Sequence, residues 1–431
     1  MKIRRFRWLI ATLLFVATAL SFFDRQVLSV LVPVIRSDVP MDNVAYSWIL
    51  FAYLLSYSVM FTVGGRLIDR LGTRRGLALS VGLWSLASLL HSTAHNAVQL
   101  GFLRFFLGFG EGGCFPGAAK GVLEWFPKKE RAIAMGFATV GGSAIGATIA
   151  PPAIAWVALY VGWRGAFLLT GVVGALWLVG WFRMYSLPGN SRFVSDAERQ
   201  YIMQDGDRCP EPRRIPPATP WSEFFKSKEV RGLVTARLLF DPVLYFYMFW
   251  IPRYLSEVRG ASLQRIGQLS WIPFLTLGIS SVLGGWVSDR LVLRGVTIDK
   301  ARKAILLAAA LLTPVSIMAV FVQRVETAIL LMSVLMFAHG LWITNYMTMI
   351  GDLFPSRDVG TVVGLTGTAG GIGGFLSSLV IGKVVESVSY TPVFIAVGVT
   401  YPICVIILLL AIKQIRPIEL TPRQGLTTAE L

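Results

Sequence analysis

Residues 64–75, GGRLIDRLGTRR, return at 284–295 as GGWVSDRLVLRG, with Gly-Gly, Asp-Arg-Leu and an Arg in register at an offset of 220. A second echo joins WFPKKERAIAMGFATVGGSAIG to LFPSRDVGTVVGLTGTAGGIGG. There Phe126, Pro127, Gly136, Gly142 and Gly146 match Phe354, Pro355, Gly364, Gly370 and Gly374 at an offset of 228. A third aligns Phe167 and Gly171 with Phe394 and Gly398 at 227. Near-constant offsets at three places describe one unit of half the chain, duplicated in tandem. In a membrane, parallel repeats of this kind set a solute site at mid-bilayer between halves that rock against each other.

The membrane follows from composition. The 431 residues are 55% hydrophobic and only 15% charged, with 42 glycines, whereas soluble chains carry about 25% charge. Apolar runs approach the ~20 residues that span the hydrocarbon core as helix. Hydropathy and the repeat together give twelve spans: 8–33, 46–66, 77–95, 98–119, 133–155, 165–184, 230–252, 264–288, 303–322, 327–350, 360–382 and 391–412. The expected architecture is an all-α integral membrane protein with two pseudo-symmetric six-helix bundles, 1–184 and 230–415. A cytoplasmic linker, 185–229, with a short helix near 195–206, joins them, and 416–431 form a tail.

Basic residues set the orientation. With the N-terminus inside, the cytoplasmic segments collect 30 of the 40 Lys and Arg, and both termini are expected in the cytoplasm. Seven, Arg36, Arg164, Arg253, Arg259, Arg265, Arg324 and Lys383, fall on the other side. The net charge of +16 then faces anionic lipid headgroups and does not call for nucleic acid. The first apolar run lacks a small-x-small cleavage site, so it is expected to stay as the first helix. Cys114, Cys209 and Cys404 are odd in number and scattered, implying neither a disulfide framework nor a metal cluster. The Gly-rich 139–152 and 364–374 lack the strand and Lys-Ser/Thr of a phosphate loop and read as helix-packing surfaces. With no nucleophile–base pair, metal spacing or nucleotide motif, the chain does not read as an enzyme, and no cofactor is expected.

Four charges interrupt the apolar runs: Asp24 and Arg25 in the first span, Arg104 and Glu111 in the fourth. Each costs about 2.5–3.5 kcal/mol at the bilayer centre even on lenient insertion scales. Chains keep such residues where they face water and handle ions, protons or charged solutes. Arg104 and Glu111 are two turns apart and share a face, with Gly108 leaving room between them. Asp24 and Arg25 point about 100° apart and can serve different partners. Tyr57 can offer a hydroxyl to the same space or simply pack there. Arg237 and Asp241 stand at i, i+4 before Pro242 and read as a local ion pair.

Gly65 to Arg75, Gly-x-Leu-x-Asp-Arg-x-Gly-x-Arg-Arg, resembles the loop 2–3 signature of the major facilitator superfamily, with a degenerate copy at 285–294. Gly65 would let two helices approach, and Asp69 would cap a helix and pair with a basic residue across the bundle. The resemblance makes Gly65, Asp69, Arg70, Arg74, Asp289 and Arg290 gating residues. SFFDRQVLSVLVPVI (21–35) with RFFLGFGEGGCFPG (104–117) is similar to the anion:cation symporters of that superfamily. ARLLFDPVLYFYMFWIPRYLSE (236–257) and FAHGLWITNYMTMIGDLFP (337–355) resemble their hexuronate branch. Residues 367–374, GTAGGIGG, carry glycines where many organic-anion relatives have an Asn.

That resemblance implies alternating access and import of a sugar acid with protons across the inner membrane, a hexuronate or an aldonate, by a monomer. Asp24 and Glu111 would carry the protons, Arg25 would grip the substrate carboxylate, and Arg104 would pair with the acids. Tyr57 joins the substrate site, and in the second half Tyr245, Tyr247, Trp250, His339, Trp342 and Asn345 can supply hydroxyl, indole and amide partners for a polyol chain, with plain packing the alternative for the aromatics and His339. Trp342 and Asn345, three apart, can face together. Another organic anion, such as a dicarboxylate or aromatic acid, and proton-driven efflux stand as alternatives on the same fold.

Overall fold

The computed structural model describes residues 5–203 and 221–418. Every regular element among them is helical. The first half comprises α1 (Phe6–Asp38), α2 (Asn43–Leu71), α3 (Thr73–His91), α4 (Ala97–Glu111), α5 (Cys114–Trp125), α6 (Lys128–Met135) and α7 (Gly142–Met184). The connection holds α8 (Asp196–Met203) and α9 (Trp221–Lys226). The second half comprises α10 (Lys228–Phe249), α11 (Ile251–Glu257), α12 (Leu263–Leu269), α13 (Ile272–Leu293), α14 (Ile298–Leu312), α15 (Val325–Leu353), α16 (Ser356–Ser387) and α17 (Thr391–Ala411).

Local chemistry sets the boundaries. Asp42 accepts from the Ala45 amide at 2.6 Å to start α2, and Ser227 accepts from Val230 at 3.4 Å to start α10. Gly72, at φ 75°, makes the turn from α2 to α3 that a side chain would strain. Gly112 and Gly113 split the fourth span, so that Glu111 is the last residue of α4, beside the break.

Among the described residues, nine helical stretches are long and apolar enough to cross a membrane. One of them, Ile133–Met184, runs 52 residues and bends at Gly162, so it holds two crossings. The serine-containing α3, opening near Arg74 and Arg75, and the interrupted α4–α5 pair fall outside that set and supply the third and fourth crossings. The twelve expected spans are thereby accounted for.

Polar contacts tie the halves together at the end away from the linker. There Tyr46 donates to the Phe249 carbonyl at 2.7 Å, and Glu386 accepts from the Asn43 amide at 3.0 Å. Arg36 of α1 pairs with Glu257 of α11, which also accepts from Arg253 at 2.9 Å and from the Tyr390 hydroxyl at 2.9 Å. On the linker side, the connection is more than a solvated tether. Glu198 of α8 is buried, accepting from the Phe6 amide and from Arg7 Nη1, each at 2.9 Å.

Candidate functional site

Side chains from α1, α2 and α4 build the charged centre of the first half. Arg25 donates through Nε to Glu111 Oε2 at 2.8 Å. The same oxygen accepts from the Tyr53 hydroxyl at 2.7 Å and from Ser21 at 3.3 Å. The other face of the Arg25 guanidinium is aromatic: its carbon lies 4.3 Å from the Tyr57 ring centre and 4.4 Å from that of Phe22. Tyr57 therefore meets the arginine with its ring, a cation–π contact worth about 0.5–2 kcal/mol. Helix approach makes this possible, because a Cβ on Gly108 would sit 2.4 Å from the Tyr53 carbonyl oxygen.

Arg104, expected to pair with the acids, instead donates to the Arg25 carbonyl at 3.3 Å. Its Nε and Nη2 are buried with no partner among the described residues, as is Glu111 Oε1. Asp24, one residue from Arg25, faces away as the 100° rotation requires and accepts from Ser88 at 3.3 Å, which in turn bonds Thr170 at 2.8 Å. All four charges are almost fully buried. Unsatisfied donors and acceptors in such a place are costly unless something polar completes them. A guanidinium presents a planar fork that matches a carboxylate, so this centre suits an oxyanion beside a movable proton.

In the second half, the expected residues divide into groups. Tyr245 stacks on Phe249 with ring centres 6.1 Å apart. Trp250 packs edge-on against Tyr46 at 5.2 Å, on the far-side seam. His339 is buried and hydrogen-bonded to the Tyr401 hydroxyl, and Trp342 packs on Tyr401 at 5.2 Å, its indole nitrogen unpartnered among the described residues. Asn345 donates to the Gly284 carbonyl at 3.2 Å and so turns to α13, whereas Trp342 turns to α10 and α17. Three residues along a helix still leave about 60° between side chains, and here the two part company. The hydroxyl of Tyr247 is buried.

The residues expected to gate lie on the linker side. The close approach expected at Gly65 falls at Gly64, where a Cβ would come within 3.1 Å of the Gly113 Cα, while at Gly65 it would meet only Pro116 at 3.9 Å. Gly65 instead borders a cavity of about 860 Å³ shared with Lys120, Glu124 and Pro188. Arg74 donates to the Phe182 carbonyl at 2.6 Å, and Arg70 and Arg290 are exposed. Asp289 pairs with Arg302 at 3.1 Å, across to α14. The Asp69 side chain lies outside the described residues.

Sequence reasoning passed over Tyr53, Ser21, Ser88 and Thr170. Two of these carried a signal: Ser21 precedes Arg25 by four residues, and Tyr53 precedes Tyr57 by four, so each pair shares a helix face. It also counted Arg253 among the charges on the far side of the membrane, although its side chain is buried with Nη1 and Nη2 unpartnered among the described residues.

Two six-helix halves, the first holding a buried charged centre, define a multi-pass membrane protein of transporter architecture. The family model described as Major Facilitator Superfamily matches residues 14–298 and 291–428, and the chain belongs to that superfamily. It is 29% identical over 401 residues to the hexuronate transporter of Escherichia coli K12, covering 92% of each chain. It is 28% identical over 401 residues to the D-galactonate transporter of Escherichia coli O6:H1, covering 91% of this chain and 93% of that one. A probable galactarate/D-glucarate transporter of Bacillus subtilis is 28% identical over 431 residues, covering 97% and 94%. Among solved structures, a D-xylose-proton symporter superposes with a TM-score of 0.72 at 16% identity, covering 94% of this chain and 96% of that one. A bacterial homolog of the human lysosomal transporter Spinster superposes at 0.71 and 17%, covering 95% and 96%.

Proposed function

We propose that the chain is a proton-coupled symporter that imports sugar-acid anions, a hexuronate or an aldonate, across the inner membrane by alternating access. The observation that carries this reading is the Arg25–Glu111 pair, a guanidinium held by a buried acid at 2.8 Å beside the incompletely satisfied Arg104. Relatives that bear sugar-acid transporter names over nine-tenths of the chain support the substrate class. The excess of Lys and Arg on the linker side supports a cytoplasmic linker and termini. The contacts at the opposite end then close the external side, as in an inward-facing state.

The cycle follows from charge balance. In the empty centre, Glu111 neutralises Arg25. A proton on Glu111 releases the guanidinium, the sugar carboxylate takes the vacated place, and Tyr53 and Ser21 become free to bond the substrate. Asp24, with Ser88 and Thr170, holds a second proton. If two protons accompany one monoanion, each cycle moves one positive charge inward, and an interior-negative potential of 100 mV adds about 2.3 kcal/mol.

The test is uptake of labelled glucuronate or galactonate into proteoliposomes under an imposed pH gradient. Accumulation above equilibrium, abolished in Glu111→Gln, is expected. Accumulation by Glu111→Gln equal to wild type would remove the coupling assignment. Gradient-driven flux of another anion, without sugar acid, would keep the coupling and replace the substrate.

A further inference from the structure

The second half carries its own membrane-buried ion pair, which the cycle above does not use. Arg237 donates through Nε to Asp241 Oδ2 at 3.1 Å and through Nη1 to Thr366 of α16 at 3.2 Å. The pair keeps 14% and 13% of its side-chain area exposed, against 4% and 0% for Arg25 and Glu111. Its surroundings place it on the seam between halves. A Cβ on Gly367 would lie 3.8 Å from Arg237 Nη1 and 3.3 Å from the Phe61 ring of α2. A Cβ on Gly370 would lie 1.9 Å from Asp241 Oδ2, so the bare face of α16 is what admits the acid.

Helix α2 acts as a ruler between the two arginines. Tyr57 lies against Arg25 at 4.3 Å, and the next ring along the same face, Phe61, follows at 6.0 Å and borders the Arg237 site. The steps are four residues apart, one helical turn of about 5.4 Å along the axis. Arg237 therefore stands across the seam and about one turn nearer the linker side than Arg25, each guanidinium neutralised by one acid. The axial part of that offset, about 5.4 Å, lies within the length of a six-carbon chain.

We infer that Arg237 is a second carboxylate subsite, and that the preferred cargo is a six-carbon sugar acid with a carboxylate at each end. This inference rests on the sugar-acid reading above and moves its preferred cargo from a monocarboxylate to a dicarboxylate. Such a dianion replaces both acids at once, Glu111 on Arg25 and Asp241 on Arg237. A monocarboxylate replaces only one and leaves the second pair closed. Each replacement exchanges one guanidinium–carboxylate contact for another of the same geometry.

The experiment is calorimetric titration of the purified full chain with D-glucarate and with D-glucuronate, which differ by one carboxylate. Wild type is expected to bind glucarate at least tenfold more tightly. Arg237→Gln should lower the glucarate-to-glucuronate affinity ratio tenfold or more. Because that change strands Asp241, the double variant Arg237→Gln/Asp241→Asn, which removes both charges, should lower the ratio equally. An unchanged ratio in the double variant, or a wild type that prefers glucuronate, overturns the subsite while leaving the sugar-acid reading standing. Binding of neither sugar acid by wild type overturns both.

Discussion

Arg253, on α11 of the second half, lies with its guanidinium carbon 5.0 Å from the ring centre of Tyr46 on α2 of the first. It also donates to Glu257 at 2.9 Å. Glu257 is the shared acceptor of Arg253, Arg36 and Tyr390, so one carboxylate holds three elements at the far end of the seam. The two cations differ in burial: the Arg253 side chain is 1% exposed and that of Arg36 is 36% exposed. Breaking an exposed pair costs at most about 1 kcal/mol, whereas stranding a buried cation costs about 3–5 kcal/mol. Glu257→Gln should therefore loosen the far end much more than Arg36→Ala. The readout is labelling of Ser47→Cys, beside Gly382 in the seam, by an impermeant maleimide. Equal labelling in the two backgrounds would contradict this.

The contact modes of two tyrosines separate by substitution. Tyr53 acts through its hydroxyl on Glu111 at 2.7 Å, so Tyr53→Phe should lower transport about tenfold or more, since hydrogen bonds to charged groups contribute about 1.5–3 kcal/mol. Tyr57 meets Arg25 with its ring at 4.3 Å, so Tyr57→Phe should retain most transport and Tyr57→Ala should lose it. Initial uptake rates at matched protein density in proteoliposomes decide both.

Gly108→Ala tests how closely α2 and α4 must approach. The added Cβ would meet the Tyr53 carbonyl oxygen at 2.4 Å, a backbone atom that cannot rotate away. Overpacking of this kind costs about 1–3 kcal/mol and would draw Tyr53 off Glu111. A lowered melting midpoint in detergent together with reduced uptake is expected. Wild-type values for both would show that the helices can separate freely.

On the linker side, Glu130 accepts from Arg7 Nε at 2.9 Å and from the Tyr201 hydroxyl at 3.0 Å. The Arg7 hydrogen bond holds its carboxyl below the ordinary glutamate range. A depressed carboxyl contributes stability that is present above its unfolded value, about 4.3, and is lost as pH falls through its lower folded value. Melting midpoints of wild type and Glu130→Gln should thus differ near neutrality and converge as pH falls through that lower folded value. A difference that persists in acid would mean that the ion pair is not its source.

The sequence made the fold legible because duplication and apolar length are properties of the chain itself. Arg25, Glu111 and Asp24 stood out for the same reason, each being a charge inside an apolar run. What stayed hidden were partners distant along the chain. Glu198 reaches Arg7 from the connection, Arg253 reaches Tyr46 from the other half, and Ser88 and Thr170 reach Asp24 from two helices. Spacing fixes which face a side chain occupies and leaves open what lies opposite. Trp342 and Asn345 show the limit: their register let them face together, and neighbouring helices drew them to different partners.

The bare face of α16 also bears on how such a protein can change its diet. A Cβ on Gly373 would fall 2.0 Å from the Leu238 carbonyl, the group that Pro242 leaves without its helical amide, and one on Gly371 would fall 2.1 Å from Ser58 Oγ. This wall is closed to exploration: even the smallest side chain added there collides before it can touch cargo. On the proposed reading, new specificities arise on the opposing helices, α2 and α10, where side chains already project. Variation among descendants of this chain should therefore gather on those two helices, with the glycine wall handed down intact.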